Sequence, residues 1–320
     1  MDTPETIYLG IDGGGSKTAV TILASDHKLV GLGIGGPGNI AVNSDEVLSA
    51  SIRDAIVASG LPGVTRYRSV CAGMAGYTAE LRRAEFKRLL RSQISAERYR
   101  IEPDYVIAYW GATHGEPGIV AVAGTGAVAF GRNSLGETYR ADGLGYLLGD
   151  RGSGFELGIY SLRYALETIQ NGASDPLTAA IVDFTGAPTT TAIIQWLYGS
   201  FSPSKVASLA TVVGEIAEAG DGAARNLVAE MAMRLRNTVR EVRSRLGMPR
   251  DVAVYPIGGL WKLGSFLNAE FENPTWKGAN GVQFTDQSTS GGQFRVVAPK
   301  SDPAYGAALL AMEGETNLGS

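Results

Sequence analysis

Three glycine turns carry the residues whose types and spacing could do chemistry. They are "DGGGSKT" (12–18), "AGTGA" (123–127) and "IGGLWK" (257–262), and each directly follows an apolar run. Bare backbone at a strand end lets N–H groups point into a concavity and approach a polyanion closely. In the first turn Gly13, Gly14 and Gly15 offer such a backbone, Ser16 and Thr18 add hydroxyls, and Lys17 adds a positive charge. Thr125 stands between Gly124 and Gly126, and Gly258 and Gly259 open the third turn. Each turn alone is also what a tight hairpin would contain. The first lacks the G-x-G-x-x-G spacing of a dinucleotide fold and the four-residue spacer of a Walker A loop, and it leads into a strand rather than a helix.

Carboxylates provide the acid–base candidates. The chain has only two histidines, His27 in "SDHK" and His114 in "THGEPG", both in polar turns expected to face solvent. That leaves Asp or Glu as a base. Asp104 closes the short extended run "RYRIEP" (98–103) and opens the helical run that begins "DYVIAYW". A carboxylate at a helix start stays ionised because the dipole favours the anion. A plain N-cap would use the same residue type. The segment "GLGYLLGDRGSGFELG" (143–158) has backbone suited to pressing on a ligand, Gly145 included, and Asp150 in it could accept from two vicinal hydroxyls. Ser153 is equally suited to capping the helix that follows.

The elements that must position these groups form a repeated pattern. "TIYLGI" (6–11), the first turn and "TAVTILA" (18–24) read as a hairpin, with "LVGLGIGG" (29–36) as a third antiparallel strand. Ser44 is a candidate N-cap for a helix ending at "SGLPG" (59–63). "YRSVCAGMAG" (67–76) reads as a strand and 79–94 as a helix. The pattern restarts at "GIVAVAGTGAVAFGRN" (118–133), which has the outline of residues 6–24. Two copies of strand, glycine turn and strand suggest a duplicated α/β unit. Residues 153–250 read as mostly helical, with the longest amphipathic run at 227–247. The chain ends in strand, turn and helix over 251–271, then a strand at 294 and a helix capped near Ser301 or Asp302. No Pro/Ser-rich linker separates the halves, and the break is expected near 114–117.

Bulk composition narrows the function classes. The 320 residues are 44% hydrophobic, enough for a real core. Glycine, at 43 residues, is near twice its usual share and dispersed, which fits many tight turns. A net charge of −4 without a Lys/Arg block gives little support to a nucleic-acid partner. A single cysteine, Cys71, excludes a disulfide or an all-cysteine metal site within one chain. No apolar stretch reaches spanning length, so no membrane partner and a cytoplasmic location are expected.

In their order along the chain, "GIDGGGSKTAV", "VAGTGAVAF", "GLGYLLGDRGSGFELG" and "IGGLWK" resemble the BadF/BadG-type ATPases, and among them the N-acetylglucosamine kinases, of the actin, heat-shock-cognate and sugar-kinase superfamily. The likeness runs from residue 7 to about 312. It implies a two-lobed α/β fold, actin-like and ribonuclease H-like, with duplicated ββαβ-type units and a cleft between lobes. The lobes would be 1–115, with a C-terminal helix (302–316) packing back, and 116–301. It implies ATP and Mg²⁺ as cofactors, with the phosphates between 13–18 and 124–126, the adenosine at Gly258 and Gly259, and Asp12 orienting Mg²⁺ through water. Asp104 matches the family's catalytic base. Asn39, in "GGPGN", matches the asparagine that touches the sugar, and Thr125, Gly145 and Asp150 fall in the sugar segments. The expected activity is phosphorylation of an amino sugar or hexose: N-acetylglucosamine at its 6-hydroxyl first, then glucosamine, N-acetylmuramic acid or glucose. A homodimer is expected. Members that activate dehydratases hold an iron–sulfur cluster with cysteines; with Cys71 alone, two chains could offer just two thiolates. A non-enzymatic sensor with the nucleotide fold but no sugar base is the other class to weigh. Arg151 stands where the family pattern has glutamate, and Leu144 where amino-sugar kinases often have an aromatic residue. Pro103 precedes Asp104, where a polar residue is usual.

Overall fold

The structure, a computed structural model, describes residues 6–61, 66–77, 80–275 and 293–316. Residues 1–5, Pro62, Gly63, Ala79 and 276–292, to which the sequence reading had also assigned places, lie outside the described residues. The chain divides into two compact units. One runs up to Glu116 and resumes at Ala298; the other spans Pro117–Val297.

The first unit is built on β1 (Ile7–Gly13), β2 (Thr18–Ala24), β3 (Leu29–Gly35), β4 (Tyr67–Met74) and β5 (Ala96–Pro103), in the sheet order β3-β2-β1-β4-β5. The β1–β2–β3 pairs are antiparallel, whereas β4 and β5 join in parallel. Central β1 is buried almost throughout, as a strand covered on both faces must be. On one face lie α1 (Asp45–Ala58), capped by the Ser44 hydroxyl accepting from Val47 N–H, and α2 (Glu80–Gln93). Their core gathers Leu9, Ile11, Val70, Leu48, Ile52 and Phe86. On the other face lie α3 (Asp104–Thr113) and the C-terminal helix, here α11 (Pro303–Thr316), with Tyr8, Cys71, Ile107 and Leu310 between them. Gly10 is what lets α11 come down onto β1: a Cβ there would sit 2.2 Å from the Ala304 carbonyl oxygen. The return of the chain is pinned by Lys300 and Ser301 N–H donating to the carbonyls of Ala112 and Gly111.

In the second unit, β6 (Gly118–Ala123), β7 (Ala127–Arg132), β8 (Thr138–Asp142), β9 (Ala253–Ile257) and β10 (Arg295–Val296) take the order β8-β7-β6-β9-β10, the path of the first sheet. Again the first three strands are antiparallel and the last two join in parallel. The duplication read from "strand, glycine turn, strand" is thus a duplication of topology. Between β8 and β9 run α4 (Gly154–Gln170), α5 (Pro176–Thr185), α6 (Thr190–Gly199), α7 (Pro203–Ala207), α8 (Leu209–Glu218) and α9 (Gly222–Arg245); a 3₁₀ turn (Gly259–Lys262) and α10 (Ser265–Glu272) follow β9. Five of these helices start on a Ser, Thr or Asp side chain that accepts a backbone N–H, Ser153 for α4 among them. Among the described residues no single helix is long and apolar enough to cross a membrane.

Candidate functional site

Parallel pairing aligns the C-terminal ends of three strands in the first unit. Asp12 of β1 is opposite Gly73 of β4, and Gly73 is opposite Glu102 of β5. Two strand spacings, about 10 Å, therefore separate the end of β1 from the end of β5, and the strand between carries no side chain at that level. Just past the end of β5 the chain turns into α3. The N-cap is Pro103, not Asp104. Pro103 makes no side-chain bond, and Asp104, one residue further, accepts the Tyr105 N–H at 2.9 Å.

The result is a pair of recessed carboxylates. Burial, reinforced by the negative charge of Asp104, pushes the Asp12 carboxyl up to about 7 against an ordinary 3.8; Lys17 pulls the other way and Asp302 adds to the push. Burial also raises Asp104, while its hydrogen bond from Tyr105 N–H opposes that. Asp302 enters because it opens α11, accepting the Tyr305 N–H at 2.8 Å. The sequence offered Asp302 only as a helix cap, and nothing local signals its approach to Asp12, which depends on α11 returning to β1. Among the described residues no three His, Cys, Asp or Glu side chains converge as ligands of one metal ion. Mg²⁺ keeps much of its water and needs only one or two carboxylates beside phosphate oxygens. A recessed carboxylate such as Asp12, whose ionised form burial disfavours, fits that habit.

The 12–18 turn folds as a tight loop, with Gly14 N–H donating to the Lys17 carbonyl at 2.9 Å. Gly13 and Gly14 carbonyls accept from Ala75 and Gly38, which stitches the turn to the loop holding Asn39. Gly15, Ser16 and Lys17 are exposed, but Thr18 is fully buried beneath Gly38. Its hydroxyl is turned into the protein and does not present itself to a phosphate as the sequence suggested. Asn39 spends its side-chain oxygen on Ala41 N–H at 2.9 Å, which turns the loop and leaves its amide N–H₂ as the polar end. Both histidines are exposed, and His114 pairs with the Ser301 hydroxyl. Cys71 is completely buried, and burial pushes its thiol up, so it offers no thiolate ligand.

The second unit holds a cavity of about 260 Å³. Its lining includes the Gly124–Thr125 turn, Gly259, Ser204, Ala207 and Thr211 of the α7–α8 segment, and Leu260 and Leu263. The start of α4 is hydrogen-bonded into the turn, Gly154 N–H to the Gly124 carbonyl and Phe155 N–H to the Thr125 carbonyl. Small residues at 204, 207, 208 and 211, three and four apart, mark the face of α7–α8 that was missed in the sequence. Of the paired glycines, Gly259 has open space where a Cβ would be. Gly258 is instead a packing residue, with φ +113° and a hypothetical Cβ 2.2 Å from the Ala123 carbonyl oxygen. Trp261 is buried, donates to the Ala121 and Ile257 carbonyls and packs edge-on against Phe271, as a packing rather than a stacking residue. Gly258→Ala is expected to cost more than about 2 kcal/mol through strain and overlap, and Gly259→Ala less than about 1 kcal/mol. Thermal unfolding of the two variants checks this; equal melting temperatures would refute it.

Asp150 lies against the same turn. A Cβ on Gly126 would be 2.5 Å from its Oδ2, and its Oδ1 accepts the Gly145 N–H at 3.2 Å. The structure thus brings Gly124, Thr125, Gly126, Gly145 and Asp150 together in one unit, and Asp12, Lys17 and Asp104 together in the other.

The profile of the BadF/BadG/BcrA/BcrD ATPase family matches residues 9–311. An N-acetylmuramic acid/N-acetylglucosamine kinase of Clostridium acetobutylicum is 28% identical over 310 residues, 95% of this chain and 97% of that one. An N-acetyl-D-glucosamine kinase of Dictyostelium discoideum is 26% identical over 343 residues, 97% and 98% of the two chains. Among solved structures, one from Chromobacterium violaceum with a provisional N-acetylglucosamine kinase name aligns with a TM-score of 0.74 at 26% identity, covering 96% of this chain and 99% of that one. A ROK family glucokinase from Streptomyces griseus, solved with glucose and AMPPNP, shares the fold at TM-score 0.59 and 17% identity, over 96% and 100%.

Proposed function

Because the chain belongs to the BadF/BadG/BcrA/BcrD ATPase family, we propose that it transfers the γ-phosphoryl group of ATP to an amino sugar, with N-acetylglucosamine and its 6-hydroxyl as the first candidate. The observation that carries this reading is the recessed Asp12–Asp104 pair beside the open Gly13–Lys17 turn. Phosphoryl transfer asks a protein for positioned phosphates, charge compensation and a base at the attacking hydroxyl. Gly15, Ser16 and Lys17 are exposed donors for phosphate oxygens. Asp12 would hold Mg²⁺, which supplies charge compensation on those oxygens when bound. Asp104 accepts the proton of the sugar hydroxyl, and its raised pKa places it nearer the range where a base works at neutral pH. The cavity lined by Gly124, Gly259 and Leu263 takes the adenosine, and the sugar hydroxyls are assigned to Asp150 and Asn39 by the family resemblance. The names of the relatives, both amino-sugar kinases, support the substrate class.

The test is ATP consumption with Mg²⁺ across N-acetylglucosamine, glucosamine, N-acetylmuramic acid, glucose and other hexoses, with product masses recorded. A sugar phosphate from an N-acetylated amino sugar is expected, at a kcat/KM at least tenfold above that for glucose. Turnover that does not depend on any sugar would overturn the reading.

A further inference from the structure

We infer that Asp142 is a positioning residue for the sugar-binding carboxylate Asp150, and that it acts through a clamp with Arg151. The inference rests on the kinase reading above.

Asp142 ends β8, paired with Val128 of β7, and its side chain is 1% exposed. Its Oδ1 accepts the backbone N–H of Asp150 at 2.8 Å. Its Oδ2 accepts the backbone N–H of Arg151 at 2.8 Å and the Arg151 Nε–H at 3.0 Å. Three N–H donors from two consecutive residues thus end on one buried carboxylate. The Arg151 guanidinium reaches on to Glu241 of α9 at 3.7 Å.

This clamp holds a stretch of backbone that would not hold itself. Asp142 has φ +66° and Asp150 φ +56°, both in the left-handed region that non-glycine residues seldom adopt. Gly143, Gly145 and Gly152 also have positive φ. Such conformations cost on the order of 1–3 kcal/mol each for a non-glycine residue and persist where the surroundings over-determine them. Here the over-determining contacts are on the page. Gly149 packs so closely that a Cβ on it would lie 2.2 Å from Asp142 Oδ1, and the Gly149 N–H is held by the Gly145 carbonyl at 2.8 Å. The loop between, residues 143–149, is anchored at one side by Tyr146, whose ring packs on Phe155 at 4.8 Å and Phe201 at 5.9 Å, while Leu147 and Leu148 are 79% and 84% exposed. The backbone of Asp150 itself is tied down at the polar base of the loop, with Asp142 at its centre. Arg151, where the family pattern has glutamate, has in this chain the Asp142 carboxylate as its partner at 3.0 Å, and the two form one unit.

Asp142→Asn isolates this role. Asparagine tolerates the left-handed backbone as aspartate does, and its oxygen can still take the Asp150 N–H. Its amide N–H₂, a donor, then faces the two donors of Arg151. The loop base opens and Asp150 loses its fixed position. The KM for the best sugar is expected to rise about tenfold or more, the scale of a lost charge-assisted hydrogen bond. The KM for ATP is expected to stay within about twofold. The decisive readout is selectivity. Against a panel of monodeoxy versions of that sugar, the parent discriminates most strongly at the hydroxyls that Asp150 accepts from, and the variant is expected to lose that discrimination while keeping the rest. A merely structural Asp142 would lower the active fraction and leave every ratio alone. Arg151→Ala, which removes the side-chain arm and keeps both backbone bonds, is expected to move the same ratio in the same direction by less. If both variants keep the parent's deoxy-sugar ratios, the inference is overturned while the kinase reading stands. If the parent phosphorylates no sugar, both fall.

Discussion

Asp104→Asn is expected to reduce turnover by about 10²–10⁴-fold, the usual contribution of a positioned base, with a melting temperature close to that of the parent. The two halves of that expectation have separate grounds. Turnover falls because asparagine cannot accept the proton of a sugar hydroxyl, a poor nucleophile at its own pKa. Stability is retained because the Tyr105 N–H that the Asp104 side chain accepts can be held equally by the asparagine oxygen. The substitution also removes a charge that burial disfavours and that presses on Asp12. Asp104→Ala separates the base from a helix-start role. It leaves the Tyr105 N–H without this acceptor, at about 1 kcal/mol, and loses turnover as well. A residue serving only the helix start would give an alanine variant that melts lower and turns over normally once folded. An Asp104→Asn protein with near-parental kcat would remove Asp104 from catalysis and make Asp150 the carboxylate to test. A pH profile adds a second check. Because burial raises the Asp104 carboxyl, kcat is expected to fall as pH drops, and to begin falling well above the ordinary aspartate range.

Much of this was legible before any coordinates, and the reason is local. Strand, glycine turn and strand are short-range patterns, so β1–β2 and β6–β7 could be read directly, and their repeat pointed to a duplicated α/β unit, whose shared sheet order only the structure gives. The place of Asp104, where a strand end meets a helix start, was visible in residue type, and its role as base came from the resemblance and from the lack of a better histidine. What was not legible depends on contacts far apart in the chain. Asp302 matters through its approach to Asp12, which exists only because α11 lies on β1 at Gly10. The α7–α8 side of the cavity meets Gly259 only after the β8–β9 excursion has folded. Asp142 carried no signal in the sequence, since its three donors come from a loop that closes on itself. Glycine was the opposite problem: the motif suggested one role for Gly258 and Gly259, and only packing separates a close backbone contact from an open wall. Thr18 shows the same limit, because a hydroxyl in a phosphate-type turn and one buried under Gly38 look alike in sequence.

Asp12→Asn is expected to stabilise the ligand-free protein and to disable it. The folded protein holds a proton on Asp12 up to about pH 7, whereas in the unfolded chain it leaves near 3.8. Between those values the unfolded chain binds fewer protons, so stability falls as pH rises from about 4 to 7, and above 7 the whole penalty stands. At about 1.4 kcal/mol per pKa unit, a rise from 3.8 to about 7 means that the ionised Asp12 costs the apo fold on the order of 4 kcal/mol at pH 8. Asparagine has no such proton to lose. The melting temperature of Asp12→Asn should therefore exceed that of the parent at pH 8, and the gap should narrow steadily as the pH is lowered toward 5. Mg²⁺·ATP should reverse the order: a divalent cation beside Asp12 favours its ionised form, so the parent gains stability on adding Mg²⁺·ATP that the variant does not. Turnover of the variant, or its affinity for Mg²⁺·ATP, should drop by at least an order of magnitude. Because Asp12 and Asp104 interact, the apparent pKa values in such profiles belong to the pair rather than to either residue. A stability gain from Mg²⁺·ATP that the parent shows and the variant lacks would identify the recessed Asp12 carboxylate as the group that meets the cation. A variant no more stable than the parent at pH 8, yet equally active, would show that Asp12 is neither strained nor used.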